Sequence, residues 1–252
     1  MRRTSGSRIV WAGMVAVLAL LVAGPLAAQQ GGSASGQPSI TSPYRWINRA
    51  LRIGVFGGRL ETSRGTTGFG PGPAYFGGLD FRARVSSPLS VEVRAGYGKS
   101  DLAVIDPRLP DGPAPVDTVS TRWGFIEAGL QFALTGQRTW HRFQPYVLIM
   151  GGFLRGFDKP VSPALSDPTD APFRYTIGTM PVLQPGVGFE WQPADRIGVG
   201  FEARDLLMHL KAPPGFFRQD VLDRIDQLGL PAPNDTQWTH NLSLTLTVWR
   251  YF

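Results

Sequence analysis

The chain has 252 residues, a formal net charge of +6, 42% hydrophobic and only 17% charged residues. It contains no cysteine and three histidines, which excludes a disulfide framework, a thiolate metal site and a cysteine nucleophile. Gly (31) and Pro (22) make up about a fifth of the chain, above the usual share, while aromatics at 11% argue against disorder.

The first segment reads as a targeting signal. Arg2, Arg3 and Arg8 precede an apolar run from Ile9 to Val22, and Pro25-Leu26-Ala27-Ala28 supplies small residues for cleavage after Ala28. Removing residues 1–28 takes away three arginines and no acid, so the mature charge is +3. That mild excess gives no case for a nucleic-acid partner. Residues 29–44 read as a flexible periplasmic lead-in, and 45–252 as one barrel domain. No later apolar run approaches the roughly 20 residues that a spanning helix needs, so any membrane crossing must use strands.

Eight segments alternate with period two, the signature of a strand with unlike faces. In 51–58, Leu51, Ile53 and Val55 alternate with Arg52, Gly54 and Phe56. In 75–85, Leu79, Phe81 and Ala83 oppose Asp80, Arg82 and Arg84. In 89–98, Val91, Val93 and Ala95 oppose Glu92, Arg94 and Gly96. In 122–134, Ile126, Leu130 and Phe132 oppose Glu127, Gly129 and Gln131. Segment 143–154 is apolar on both faces. In 183–191, Val187, Phe189 and Trp191 oppose Gly188 and Glu190, and in 197–204, Val199 and Phe201 oppose Gly200, Glu202 and Arg204. Last, in 241–252, Leu242, Leu244, Leu246 and Val248 oppose Asn241, Ser243, Thr245 and Thr247.

The connections alternate too. Residues 86–88, 135–142 and 192–196 are short links; 59–74, 99–121, 158–181 and 210–237 are long ones. Short turns at one end and long loops at the other fit a membrane barrel, and strands of about ten residues match the roughly 9–11 that cross a bilayer when tilted. The expected fold is all-β: an eight-stranded antiparallel up-and-down transmembrane β-barrel.

The closing Val248-Trp249-Arg250-Tyr251-Phe252 resembles the terminal strand of small eight-stranded Gram-negative outer-membrane β-barrels, whose last residue is typically Phe. Gln144-Pro145-Tyr146-Val147 with Gly151-Gly152, Gly200 to Asp205, and Thr239 to Leu242 resemble strands of the same superfamily. The resemblance implies location in the cell outer membrane and contact with its lipids and lipopolysaccharide. It also implies assembly by periplasmic chaperones and the barrel-assembly machinery with Phe252 as the signal, and a monomer. Arg250 departs from the pattern on the outward face, where its guanidinium can snorkel to headgroups.

Ten charged residues fall on the inward face: Arg52, Asp80, Arg82, Arg84, Glu92, Arg94, Glu127, Glu190, Glu202 and Arg204. An eight-stranded barrel is just wide enough to be filled by side chains, and charges buried there must pair. They are expected to form an ion-pair network that plugs the lumen, with inward glycines (Gly54, Gly78, Gly96, Gly129, Gly186, Gly188, Gly198, Gly200) making room for long arginines. Trp46, Trp191, Trp249 and Tyr251 are expected in the periplasmic aromatic girdle.

No cofactor or metal motif occurs. His240 and Ser243, three residues apart, face opposite sides of a strand; His209 has no serine neighbour; His141 lies in a short turn. A role in structure or surface interaction is therefore expected, with a narrow conduit for small hydrophobic molecules and a lipid-modifying enzyme as alternatives. In the last long loop, Val221, Leu222, Ile225 and Leu228 follow helical spacing, with Gly229 as the stop.

Overall fold

The computed structural model describes residues 42–47, 49–64, 68–110 and 113–252. The expected export segment, and the lead-in as far as residue 41, lie outside the described residues.

Eight long strands form the wall: β2 (Leu51–Glu61), β3 (Ala74–Arg84), β4 (Leu89–Asp106), β5 (Ala114–Ala133), β7 (Phe143–Gly156), β8 (Thr179–Ala194), β9 (Ile197–Lys211) and β10 (Thr236–Tyr251). Each pairs antiparallel with its neighbours, β7 with β8 and β10 back onto β2, so the sheet closes on itself. Closure removes both edges, which in lipid would leave backbone donors and acceptors unsatisfied. Two short strands, β1 (Tyr44–Trp46) and β6 (Arg138–Trp140), pair beneath the wall at the end of the short turns. No helix among the described residues is long and apolar enough to cross a membrane.

Alternation sorts the side chains as period two requires. Ile53, Leu79, Ile126, Leu130, Phe153, Val187, Leu242 and Leu246 stand exposed on the outside, whereas Arg82, Glu92, Arg94, Glu202 and Thr245 are buried inside. An exposed apolar band on a closed barrel needs hydrocarbon around it, since water would leave all of that surface hydrated at about 25 cal/mol per Å². Arg59, Lys99, Arg122 and Arg155 bound the band on the long-loop side, which is the external side of such barrels.

The strands of the second hairpin run past the expected ends. β4 continues to Asp106 and β5 starts at Ala114, where a long loop over 99–121 was expected. With 18 and 20 residues against the roughly ten that span hydrocarbon, the hairpin projects well beyond the band. Its outer part packs with the other external loops around Phe69, Ile105, Leu165, Phe173, Phe216, Val221 and Ile225, an apolar cap. Helix α1 (Gln219–Gln227) seats Val221 and Ile225 there; Gly229 takes positive φ just beyond the helix, while Leu228 stays exposed. Arg108 bridges to Asp170 at 2.8 Å and Arg224 donates to the Arg108 carbonyl at 2.8 Å, tying hairpin, third loop and helix together.

Candidate functional site: the barrel lumen

The inner half of the lumen is charged. Glu202 on β9 is fully buried, and its two oxygens meet three guanidiniums: Arg204 at 2.7 Å, Arg82 at 3.1 Å and Arg94 at 3.2 Å. The Tyr146 hydroxyl adds a donor at 2.7 Å. Glu92 takes Arg82 at 2.5 Å and Arg204 at 2.7 Å; Glu127 takes Arg204 at 3.1 Å and the Gln184 amide at 2.5 Å. Asp80 lies 3.5 Å from Arg94 and accepts the Trp249 indole N–H at 2.7 Å. Nearer the short turns, Arg52 pairs with Glu190 and donates to Gln131 at 2.8 Å.

Strand register explains these meetings. Asp80 stands opposite Arg94, Arg82 opposite Glu92 and Arg94 opposite Glu127 on neighbouring strands, so opposite charges face each other along the pleat. Rings fill what remains. Arg94 lies 3.9 Å over Phe56, Arg82 lies within 5.3 Å of Tyr146 and 5.0 Å of Trp249, and Arg52 lies 4.8 Å over Trp249. Arg52, Arg82 and Arg94 thus gain a π face as well as a carboxylate.

Nine of the ten expected charges meet in this way. Arg84 does not: it is half-buried at the end with the short turns, forms no ion pair among the described residues, and donates to the Ile47 carbonyl at 2.6 Å. Trp249 and Tyr251 also depart from expectation. They are 1% and 4% exposed and point inward, because they share the face of Thr245 and Thr247. Trp46 and Trp191 are exposed near the periplasmic end. The inward glycines mostly leave room for rings rather than for arginines: a Cβ at Gly54 or Gly200 would strike Trp249, at Gly188 Tyr146, and at Gly96 Phe125. Gly186 is the one whose space Arg204 takes up.

The outer half of the lumen is mainly apolar, with Ser100, Thr121, Asn241 and Ser243 buried among the hydrophobic side chains. Leu60, Trp123, Leu154, Val182, Leu206 and Met208 are buried there, with Phe76 and Phe125 against them. Alternation does not mark these residues as lumen because the contrast inverts at this height, with Arg59, Arg122 and Arg155 outside and Leu60, Trp123 and Leu154 inside. Cavities of about 20 Å³ lie at each end of the charged layer, each with room for about one water.

The histidines are scattered. His240 is exposed on the outer face, 2.7 Å from Asp205, whereas Ser243 is buried in the lumen. His209 lies beside Trp238, and His141 beside Trp140 in its turn. Among the described residues no group of three or more His, Cys, Asp or Glu is placed to hold a metal.

A closed antiparallel wall, apolar outside and packed with paired charges inside, defines a transmembrane β-barrel of the outer-membrane type. The chain is a closed eight-stranded antiparallel β-barrel. No family model and no curated protein matches it. Among solved structures it is similar to the outer membrane protein OprG from Pseudomonas aeruginosa, with 15% identity and a TM-score of 0.48 over 81% of this chain and 97% of that one. It is also similar to Neisserial surface protein A, with 10% identity and a TM-score of 0.44 over 84% and 98%. The attachment invasion locus protein Ail of Yersinia pestis gives 10% identity and a TM-score of 0.39 over 81% and 97%. The fold assignment rests on the closed hydrogen-bond circuit of the chain itself.

Proposed function

We propose that this barrel is a structural and surface-presenting protein: a sealed, rigid monomer that occupies the outer membrane and displays a packed external cap. The observation that carries the reading is the closure of the lumen around Glu202, where three guanidiniums and a tyrosine hydroxyl converge on one buried carboxylate. A network joined across β3, β4, β5 and β9 braces the wall from within. Its partners in this reading are membrane lipids and lipopolysaccharide around the band. Residues 1–28 act as the export signal, and the barrel-assembly machinery recognises the last strand, just beyond which Phe252 stands 56% exposed. A planar-bilayer recording tests the sealed lumen. The expected trace is flat, and steady conductance above background overturns the reading.

An apolar cavity of about 440 Å³ between the first, second and fourth external loops favours a second reading, uptake of small hydrophobic molecules. Ala103, Ile105, Phe216, Ile225 and Leu230 line it, and its size suits a small ligand. Transfer of an apolar dye into vesicles containing the barrel, with Ile225→Asp as the blocked variant, separates the two. Dye transfer that the variant abolishes favours uptake, and transfer equal to empty vesicles favours the sealed barrel.

A further inference from the structure

The end with the short turns carries a lopsided charge. Among the described residues of its turns and strand tips stand Arg45, Arg49, Arg138, Arg142, Arg196 and Arg250, against the single carboxylate side chain of Asp195. None of these six arginines forms an ion pair among the described residues, although the chain pairs its arginines freely in the lumen and in the external loops. Three of them, Arg45, Arg49 and Arg142, line one cavity of about 390 Å³ enclosed by β1, the β5–β7 turn, the β8–β9 turn and the end of β10. Arg142 donates once to the Pro193 carbonyl at 2.5 Å and Arg49 once to the Tyr251 carbonyl at 3.4 Å, which fixes both heads and leaves their other N–H groups unspent. Thr139 and Gln192 add neutral polar groups, and Asp195 stands at the same wall.

We infer that this cavity holds the phosphate headgroup of an anionic phospholipid from the periplasmic leaflet. Guanidinium forks suit phosphate oxygens, to which they donate in pairs. Lipid is favoured over other phosphates because the cavity opens beside aromatic surface at the membrane edge. Trp46, which lines it, is 59% exposed with Arg138 stacked 4.6 Å over its ring, and Trp140, Trp191 and Phe252 are exposed at the same end. Such rings sit at the headgroup level, so a lipid could place its phosphate among the arginines while its chains stay in the leaflet. The wall is then anchored at a defined depth by charge as well as by aromatic side chains.

The test uses the whole barrel in vesicles of phosphatidylcholine with and without phosphatidylglycerol, reading relative association from spin-labelled lipids. The wild type should prefer phosphatidylglycerol severalfold. R45Q/R49Q/R142Q should lose that preference and associate equally with the two lipids, the three guanidiniums together supplying about the fivefold of one fully engaged surface charge. Should the triple variant fail to give the compact, heat-modifiable form, R45Q alone, exposed and without a side-chain partner among the described residues, should still lower the preference by about twofold, its share of the three. Equal association of the two lipids with the wild type, or an unchanged preference in R45Q, overturns the inference. Displacement of phosphatidylglycerol by inorganic phosphate at comparable concentration assigns the cavity to free phosphate instead. Retention on purified anionic cell-wall polymer without lipid preference assigns the surface to that polymer, and both outcomes overturn the lipid site.

Discussion

The Trp249 indole N–H donates to the Asp80 carboxylate at 2.7 Å, joining the last strand to β3 through the interior of the barrel. Asp80 otherwise has Arg94 at 3.5 Å. Trp249→Phe removes the donor and also trims a buried bicyclic ring to a phenyl, so the loss should reach at least the roughly 1.5–3 kcal/mol of the hydrogen bond, with the cost of the space left behind added to it. Urea unfolding of the barrel in lipid vesicles measures it, and an unchanged midpoint would show that the bond contributes nothing.

Glu202→Gln withdraws the one carboxylate on which Arg82, Arg94 and Arg204 all converge in a dry interior. Removing one partner of a buried ion pair costs about 3–5 kcal/mol. Glu127→Gln should cost less, because Arg204 keeps Glu92 and Glu202 and the Gln184 contact survives as a neutral hydrogen bond. The order of the two urea midpoints decides it. Equal losses would refute the central place given to Glu202.

Gly200 gives its space to the Trp249 ring, whereas Gly151 has only the Val182 carbonyl near, 3.9 Å from where a Cβ would sit. Gly200→Ala should therefore destabilise by about 1–3 kcal/mol through overpacking, and Gly151→Ala should be close to neutral. Heat-modifiable migration on gels ranks the pair; a Gly151→Ala barrel that melts as early as Gly200→Ala contradicts the packing described.

The external cap should loosen in acid. Partial burial pushes the Asp106 carboxyl up, but hydrogen bonds from the Arg108 side chain and backbone outweigh it and hold the carboxyl below its ordinary value. The Arg122 side chain likewise holds Asp158 down by hydrogen bonding. A carboxyl lowered by folding stabilises fully above its unfolded value of about 4, and the contribution fades as pH falls through the folded value. Hydrogen-exchange protection factors over 101–117 and 157–178 should drop as pH falls below about 4, with β9 and β10 unaffected. Constant protection in those loops would count against the linkage.

Much of this architecture is legible in the residues. Alternation such as Asn241-Leu242-Ser243-Leu244 marks the wall strands, because lipid on one side and charge on the other keep the two faces chemically distinct. Where that contrast ends, so does the reading. Above the band, Val104, Ile105 and Val119 mix with Asp101 and Asp117 while the strands continue, since the hairpin there packs against loops and water instead of hydrocarbon. Trp249 shows a different limit. Its place by parity is inside, yet an inward tryptophan makes sense only when Gly54 and Gly198 stand opposite it and Gly200 leaves it room. Those glycines come from distant parts of the chain, and only register brings them together. Arg84 has the right parity but the wrong height, a coordinate that alternation does not carry.

The pairing of the first and last wall strands has a temporal side. Asp80, Arg82, Glu92 and Arg94 are synthesised long before Glu202, Arg204 and Trp249, so the early half of the chain can pair these four among themselves but lacks the β9 carboxylate and guanidinium and the β10 indole that complete the network. Until the circle is complete these side chains need water, and an open sheet cannot carry them into hydrocarbon. Entry into the bilayer, neutralisation of the interior and the meeting of β10 with β2 are therefore bound into one cooperative event.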